Sequence, residues 1–203
     1  MTMTQVRSAK AGPLRPEDLM SLEQYARARP QWRGEVLAHK RPRTVQVGPH
    51  ATWCFEDRLT VQYQVQEMLR IERIFEPEGI AEELATYNPL IPDGCNWKAT
   101  LLIEYPEEAE RRAALARLRG VEDRCWVQVA GHDRVYAVAD EDLERENEEK
   151  TSAVHFLRFE LDDAMRSRLK SGAALKIGVE HPSYTREVVV APDVARTLAA
   201  DLA

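Results

Sequence analysis

The sequence predicts an α+β protein: a helical N-terminal half with a short hairpin, then a β-α-β-β unit that occurs twice and forms a mostly antiparallel sheet. Three observations predict it. Leu59 to Phe75 contains neither Gly nor Pro and follows helical periodicity. Gly48-Pro49-His50 separates two short β-type runs, as a hairpin turn would. Ala99-Thr100-Leu101-Leu102-Ile103-Glu104-Tyr105 overlays Ala153-Val154-His155-Phe156-Leu157-Arg158-Phe159 at an offset of 54, and Leu115 then falls on Leu169.

Residues 1–14 predict a flexible arm, ahead of a helical segment over 15–94. Pro16 followed by Glu17 and Asp18 supplies first-turn chemistry for a helix reaching Ala28, and a second short helix fits Gln31 to Ala38. The basic run His39 to Arg43 is a proline-interrupted connector into a strand over Thr44–Val47. After the turn, Thr52–Glu56 alternates Trp53 and Phe55 with Thr52 and Cys54. On the Leu59–Phe75 helix, Gln62, Gln66, Arg70 and Arg73 form one narrow polar stripe, and most of the remaining circumference is apolar, so two sides are buried. A further helix spans Glu78 to Thr86, before Asn88-Pro89 and a proline-rich loop.

The duplicated region covers 95–203. Its copies, 95–139 and 151–191, each run from a strand through an amphipathic helix ending near Gly120 or Gly172 into two more strands. These are Cys125–Ala130 and Arg134–Val138 in the first copy, Leu175–Glu180 and Arg186–Val190 in the second. Between the copies, residues 140–150 form an acidic linker, with seven acidic residues and one Arg from Asp140 to Glu149. A helix from Pro192 to Leu202 closes the chain.

Composition narrows the function. The 203 residues carry 28 Lys+Arg and 34 Asp+Glu, a net −6, with 44% apolar residues. That balance supports a sizeable core and argues against nucleic-acid or anionic-membrane binding, which needs a basic face. The N-terminus has no secretory h-region, and no apolar run approaches the ~18 residues of a membrane span. Three widely spaced cysteines, Cys54, Cys95 and Cys125, suit a reducing compartment, so the expected location is the cytoplasm. CxxC, HExxH, GxGxxG, P-loop and GxSxG motifs are all missing, which removes the main support for zinc ribbons, zincins, dinucleotide folds, NTPases and α/β-hydrolases. The residues three before each His are Val36, Val47, Val129, Ser152 and Gly178, so no Glu-x-x-His di-iron pair exists.

Candidate sites rest on polar residues at apolar positions. Glu67 projects about 20° from Ile74 on the helical wheel, and Glu72 falls between Val61 and Val65. A carboxylate buried there must be protonated, paired or metal-bound. One reading pairs Glu67 with Arg70 or with an arginine from another helix. The other joins Glu67 with His50 and Glu56 around iron, manganese or zinc. A second cluster contains His155, on a strand face with Leu157 and Phe159, and His181, opening the turn before Tyr184. These three could serve as acid/base groups if they share a pocket; the alternative is core histidines bonded to carbonyls.

The words VGPHATWCFEDRLTVQYQVQEMLRIERIFEPEGIAEELATYNPLIP, from Val47 to Pro92, with SAVHFLRFEL and EHPSY, resemble a bacterial family catalogued as domain of unknown function 3501. The resemblance runs from Pro16 to the C-terminus. It implies genes encoded beside rubrerythrin-like proteins and iron–sulfur or flavin oxidoreductases, hence a part in peroxide defence or electron transfer. It assigns no functional residue. The expectation is a cytoplasmic accessory protein of such a redox system, binding one transition-metal ion. The alternatives are a metal-free module that docks a partner oxidoreductase, and a small-molecule enzyme with a His general base.

Overall fold

The structure, a computed structural model, describes residues 12–141, 145 and 149–203. It bears out the α+β class, in mixed helices and antiparallel sheets. The arm expected over 1–14 lies outside the described residues up to position 11. Leu14, however, is buried in a helical core, and its N–H donates to Asn88 Oδ1 at 2.7 Å.

A single turn of 3-10 helix at Pro16–Asp18 precedes α1, Leu22–Lys40. Ser21 caps α1 in a reciprocal pair with Gln24, each side chain accepting from the other's backbone N–H. Two short helices were expected, divided at Pro30. One continuous helix forms instead, because a proline forfeits one helical hydrogen bond while the packed face runs past it. Tyr25 and Ala28 before Pro30, and Val36 after it, are all buried, and Trp32 packs edge-on against Tyr63.

Strands β1 (Thr44–Gln46) and β2 (Ala51–Phe55) form the expected hairpin. Gly48 at its turn has φ 78°, and a Cβ there would meet the Tyr184 hydroxyl. Helix α2, Arg58–Glu72, starts on the Asp57 cap and stops at Arg73, whose φ of 58° is left-handed. Helix α3 spans Pro77–Tyr87. The polar stripe of α2 is not its solvent face. Gln62 donates to Asp18 O at 2.5 Å, and Gln66 bonds both the N–H and the carbonyl of Met20, so both carboxamides are buried under the segment leading into α1.

The rest of the chain contributes β3 (Asn96–Ile103), α4 (Glu108–Arg117), β4 (Cys125–Val129), β5 (Val135–Tyr136) and β6 (Val138–Ala139). It continues through β7 (Val154–Glu160), α5 (Asp163–Lys170), β8 (Leu175–His181), β9 (Tyr184–Val189) and α6 (Pro192–Ala200). The expected single sheet is two antiparallel sheets, in the orders β1-β2-β3-β7-β6 and β5-β4-β8-β9. The first strands of the two overlaid segments pair with each other, with Leu101 opposite His155; the second strands pair likewise, with Val127 opposite Ile177. Arg134–Val138, expected as one strand, breaks at Ala137 so that β5 joins one sheet and β6 the other.

Apolar side chains of both sheets share one core: Trp53, Phe55, Trp97 and Leu101 from the first, Val127, Leu175 and Ile177 from the second. Helix α6 closes it with Leu198, whose carbonyl accepts the Trp97 indole N–H at 2.9 Å. A smaller core of Leu14, Val61, Val65, Leu69 and Leu84 serves the helical segment. Buried Arg43, paired with the half-buried Asp57 and Asp201, ties α2 to α6. Among the described residues no helix is long and apolar enough to cross a membrane.

Candidate functional site

The residues proposed around a metal at the hairpin are dispersed. His50 precedes β2 and Glu56 follows it, roughly 20 Å apart along an extended strand, because each residue advances about 3.3 Å. The His50 ring stacks on Tyr105, and its Nδ1 donates to the Glu104 carbonyl at 3.1 Å. Glu56 accepts from Thr100 Oγ1 at 2.6 Å and from Thr60. Glu67 lies further on, in the middle of α2, and takes the ion-pair reading. Arg29 of α1 grips it through two hydrogen bonds, at 2.7 and 2.8 Å, Arg70 adds a contact at 3.4 Å, and the Tyr25 hydroxyl donates to it. The Arg29 fork, helped by Tyr25 and Arg70, outweighs partial burial and holds the Glu67 carboxyl down to about 2. Glu72, expected inside, is exposed at the end of α2.

His181 and Tyr184 serve the fold. His181 Nε2 donates to the Arg119 carbonyl at 3.0 Å, and its Nδ1 accepts the Ser183 N–H at 3.1 Å. Tyr184 donates to the Val47 carbonyl at 2.6 Å and accepts from the His50 N–H at 3.1 Å, bonding the second sheet to the β1–β2 turn. Burial pushes its phenol up against the opposing pull of the His50 and Ala51 backbone N–H groups.

His155 differs. It stands on the core face of β7 with no exposure at all, opposite Leu101, where strand alternation calls for an apolar side chain. Its Nδ1 lies 2.6 Å from Asp140 Oδ2 and 3.8 Å from Glu122 Oε2. Its Nε2 faces the Ser152 carbonyl at 3.0 Å and Thr151 Oγ1 at 3.1 Å. Asp140 is fixed in turn: Oδ1 accepts the Phe156 N–H at 2.8 Å and lies 3.2 Å from Arg145 Nε. Its φ of 48° places it in the left-handed region that Asp tolerates better than most residues. Burial alone would favour the neutral imidazole, but the Asp140 bond, the Glu122 charge and the Ser152 carbonyl together push His155 upward. Among the described residues, Glu122, Asp140 and His155 are the one group of three or more His, Cys, Asp or Glu whose ligand atoms all lie within 4.8 Å of one another.

Sequence reasoning placed His155 correctly as a polar intrusion but missed both carboxylates. Asp140 read as the first residue of a solvated linker, and nothing local marks Glu122. The described part of that linker is tied down: Glu141 receives a two-pronged Arg158 guanidinium at 2.7 and 2.8 Å, and the Arg145 guanidinium sits over the Phe156 ring.

The family model described as protein of unknown function (DUF3501) matches residues 13–202. The chain belongs to the DUF3501 family. This DUF3501 chain is also 55% identical to a protein of unknown function from Burkholderia pseudomallei K96243, for which there is a crystal structure at 1.90 Å resolution. The likeness covers 94% of this chain and 99% of that one, with a TM-score of 0.90. No curated protein matches the chain. Among the described residues, one cavity of about 50 Å³ lies between β3, β7 and the end of α3, and another of about 10 Å³ lies beside His50 and Tyr184. Neither is lined by His155 or His181, so the pocket expected to join those histidines with Tyr184 does not form there.

Proposed function

We propose that this protein is an accessory component of a redox or oxidative-stress system that acts by docking a partner oxidoreductase, a rubrerythrin-like protein or an iron–sulfur or flavin enzyme, in the cytoplasm. The observation that carries this reading is the size of the internal spaces. Sites that enclose a small molecule span roughly 300–1,000 Å³, whereas the two cavities described measure about 50 and 10 Å³, room for a few waters. The polar heads of His155, His181 and Tyr184 are spent on internal bonds. Apolar surface is offered outside instead: Ile71, in the last turn of α2, and Phe75, three residues beyond its end, are 60% and 68% exposed. Free Cys54, Cys95 and Cys125 accord with a reducing compartment. The facing of β3 with β7 and of β4 with β8 supports reading the second half as a duplicated unit.

Pull-down with a purified rubrerythrin-like protein and with iron–sulfur and flavin oxidoreductases from the same bacterium tests this proposal. Retention of one of them is the expected result, and retention of none would count against docking.

A further inference from the structure

We propose that Glu122, Asp140 and His155 form a binding site for one divalent first-row metal ion. The tautomer comes first. The Ser152 carbonyl can only accept, so His155 Nε2 carries a proton and donates it there. Nδ1 is then the ring atom facing the carboxylates of Asp140 and Glu122, so that three ligand atoms lie within 4.8 Å of one another. A divalent cation bound there takes the place of the proton that Nδ1 otherwise shares with Asp140, which is released on binding. A backbone carbonyl holding the far nitrogen of an imidazole is also how metal-bound histidines are oriented from behind.

The carboxylates are suitably placed. Asp140 Oδ1 is committed to the Phe156 N–H and Arg145, which leaves Oδ2 for the centre. The Nδ1–oxygen separations of 2.6 and 3.8 Å bracket the ~3 Å expected between two atoms each about 2.1 Å from a shared ion. Regular elements supply the ligands: His155 is the second residue of β7, Glu122 belongs to the 3-10 turn Glu122–Arg124 that leads into β4, and Asp140 directly follows β6. One imidazole with two carboxylates and no thiolate suits Zn²⁺, Mn²⁺ or Fe²⁺ rather than a soft monovalent ion. The inference is independent of docking, because these residues lie inside the protein and Ile71 and Phe75 outside it.

The test uses the full chain purified without a polyhistidine tag, stripped with EDTA and titrated separately with Zn²⁺ and Mn²⁺ by calorimetry, with stoichiometry read by elemental analysis. About one equivalent of at least one ion is expected. Glu122→Gln and Asp140→Asn should each weaken it tenfold or more, while His50→Ala leaves it unchanged. Less than a tenth of an equivalent of either ion, or full-affinity binding in a folded Glu122→Gln or Asp140→Asn variant, would overturn the site. If those variants do not fold, X-ray absorption of the zinc-loaded wild type decides. A shell of nitrogen and oxygen at about 2.0–2.1 Å with imidazole scattering supports the assignment, and a sulfur ligand at about 2.3 Å contradicts it.

Discussion

Glu67 shows how one carboxylate can be placed where water is scarce. Arg29 and Tyr25, both from α1, complete it, so the pair fastens α1 to α2. Its carboxyl falls from the ordinary glutamate value of 4.5 to about 2. A depressed native value stabilises the fold fully above pH 4.5, and that contribution is lost as the pH drops towards 2. Glu67→Gln should therefore lower stability at pH 7, by less than a fully buried pair would because solvent screens Arg29, and flatten the acid limb of stability, as urea melts across pH 2–6 would reveal. Tyr184→Phe strands the buried Val47 carbonyl and should cost about 1–2 kcal/mol, read the same way. The residue scale is also where the sequence is partly legible. Helical phase exposes Glu67 as an intruder and strand alternation does the same for His155. Their partners lie far along the chain, 38 residues away for Arg29 and 15 for Asp140, and no local pattern encodes such contacts.

At the scale of elements, period and punctuation carried most of the fold. The start of α2 falls within one residue of the expected Leu59 and the β1–β2 hairpin follows from its Gly-Pro turn, but α2 ends at Glu72, three residues short of the expected Phe75, where Arg73 turns left-handed. Two errors share a cause, which is tertiary context. Pro30 did not end α1, and the Gln62/Gln66 stripe met a backbone segment rather than solvent. The division into two sheets was not legible either, since alternation reports which face is buried and not which strand lies next door. Gly178 marks one close approach between elements. A Cβ there would sit 2.7 Å from Trp126 Cε2 and 2.8 Å from the Arg186 carbonyl oxygen. Gly178→Ala should force β9 or the indole to shift and lower stability by about 2–3 kcal/mol, measured by chemical denaturation.

At the scale of the molecule, net charge said little, because the charges that matter are those paired inside: Arg29 with Glu67, Arg43 with Asp57 and Asp201, and His155 with Asp140. The sheets and α6 share one large core and the helical segment keeps its own, leaving small cavities within and apolar side chains outside at Ile71 and Phe75. Docking is the central claim, and sedimentation velocity of the full chain mixed in turn with a rubrerythrin-like protein, an iron–sulfur oxidoreductase and a flavin oxidoreductase tests it most directly. The account predicts a faster boundary containing both proteins with at least one partner, weakened tenfold or more by the exposed-site variant Phe75→Asp combined with Ile71→Asp. Independent sedimentation of the two proteins in every mixture would contradict it.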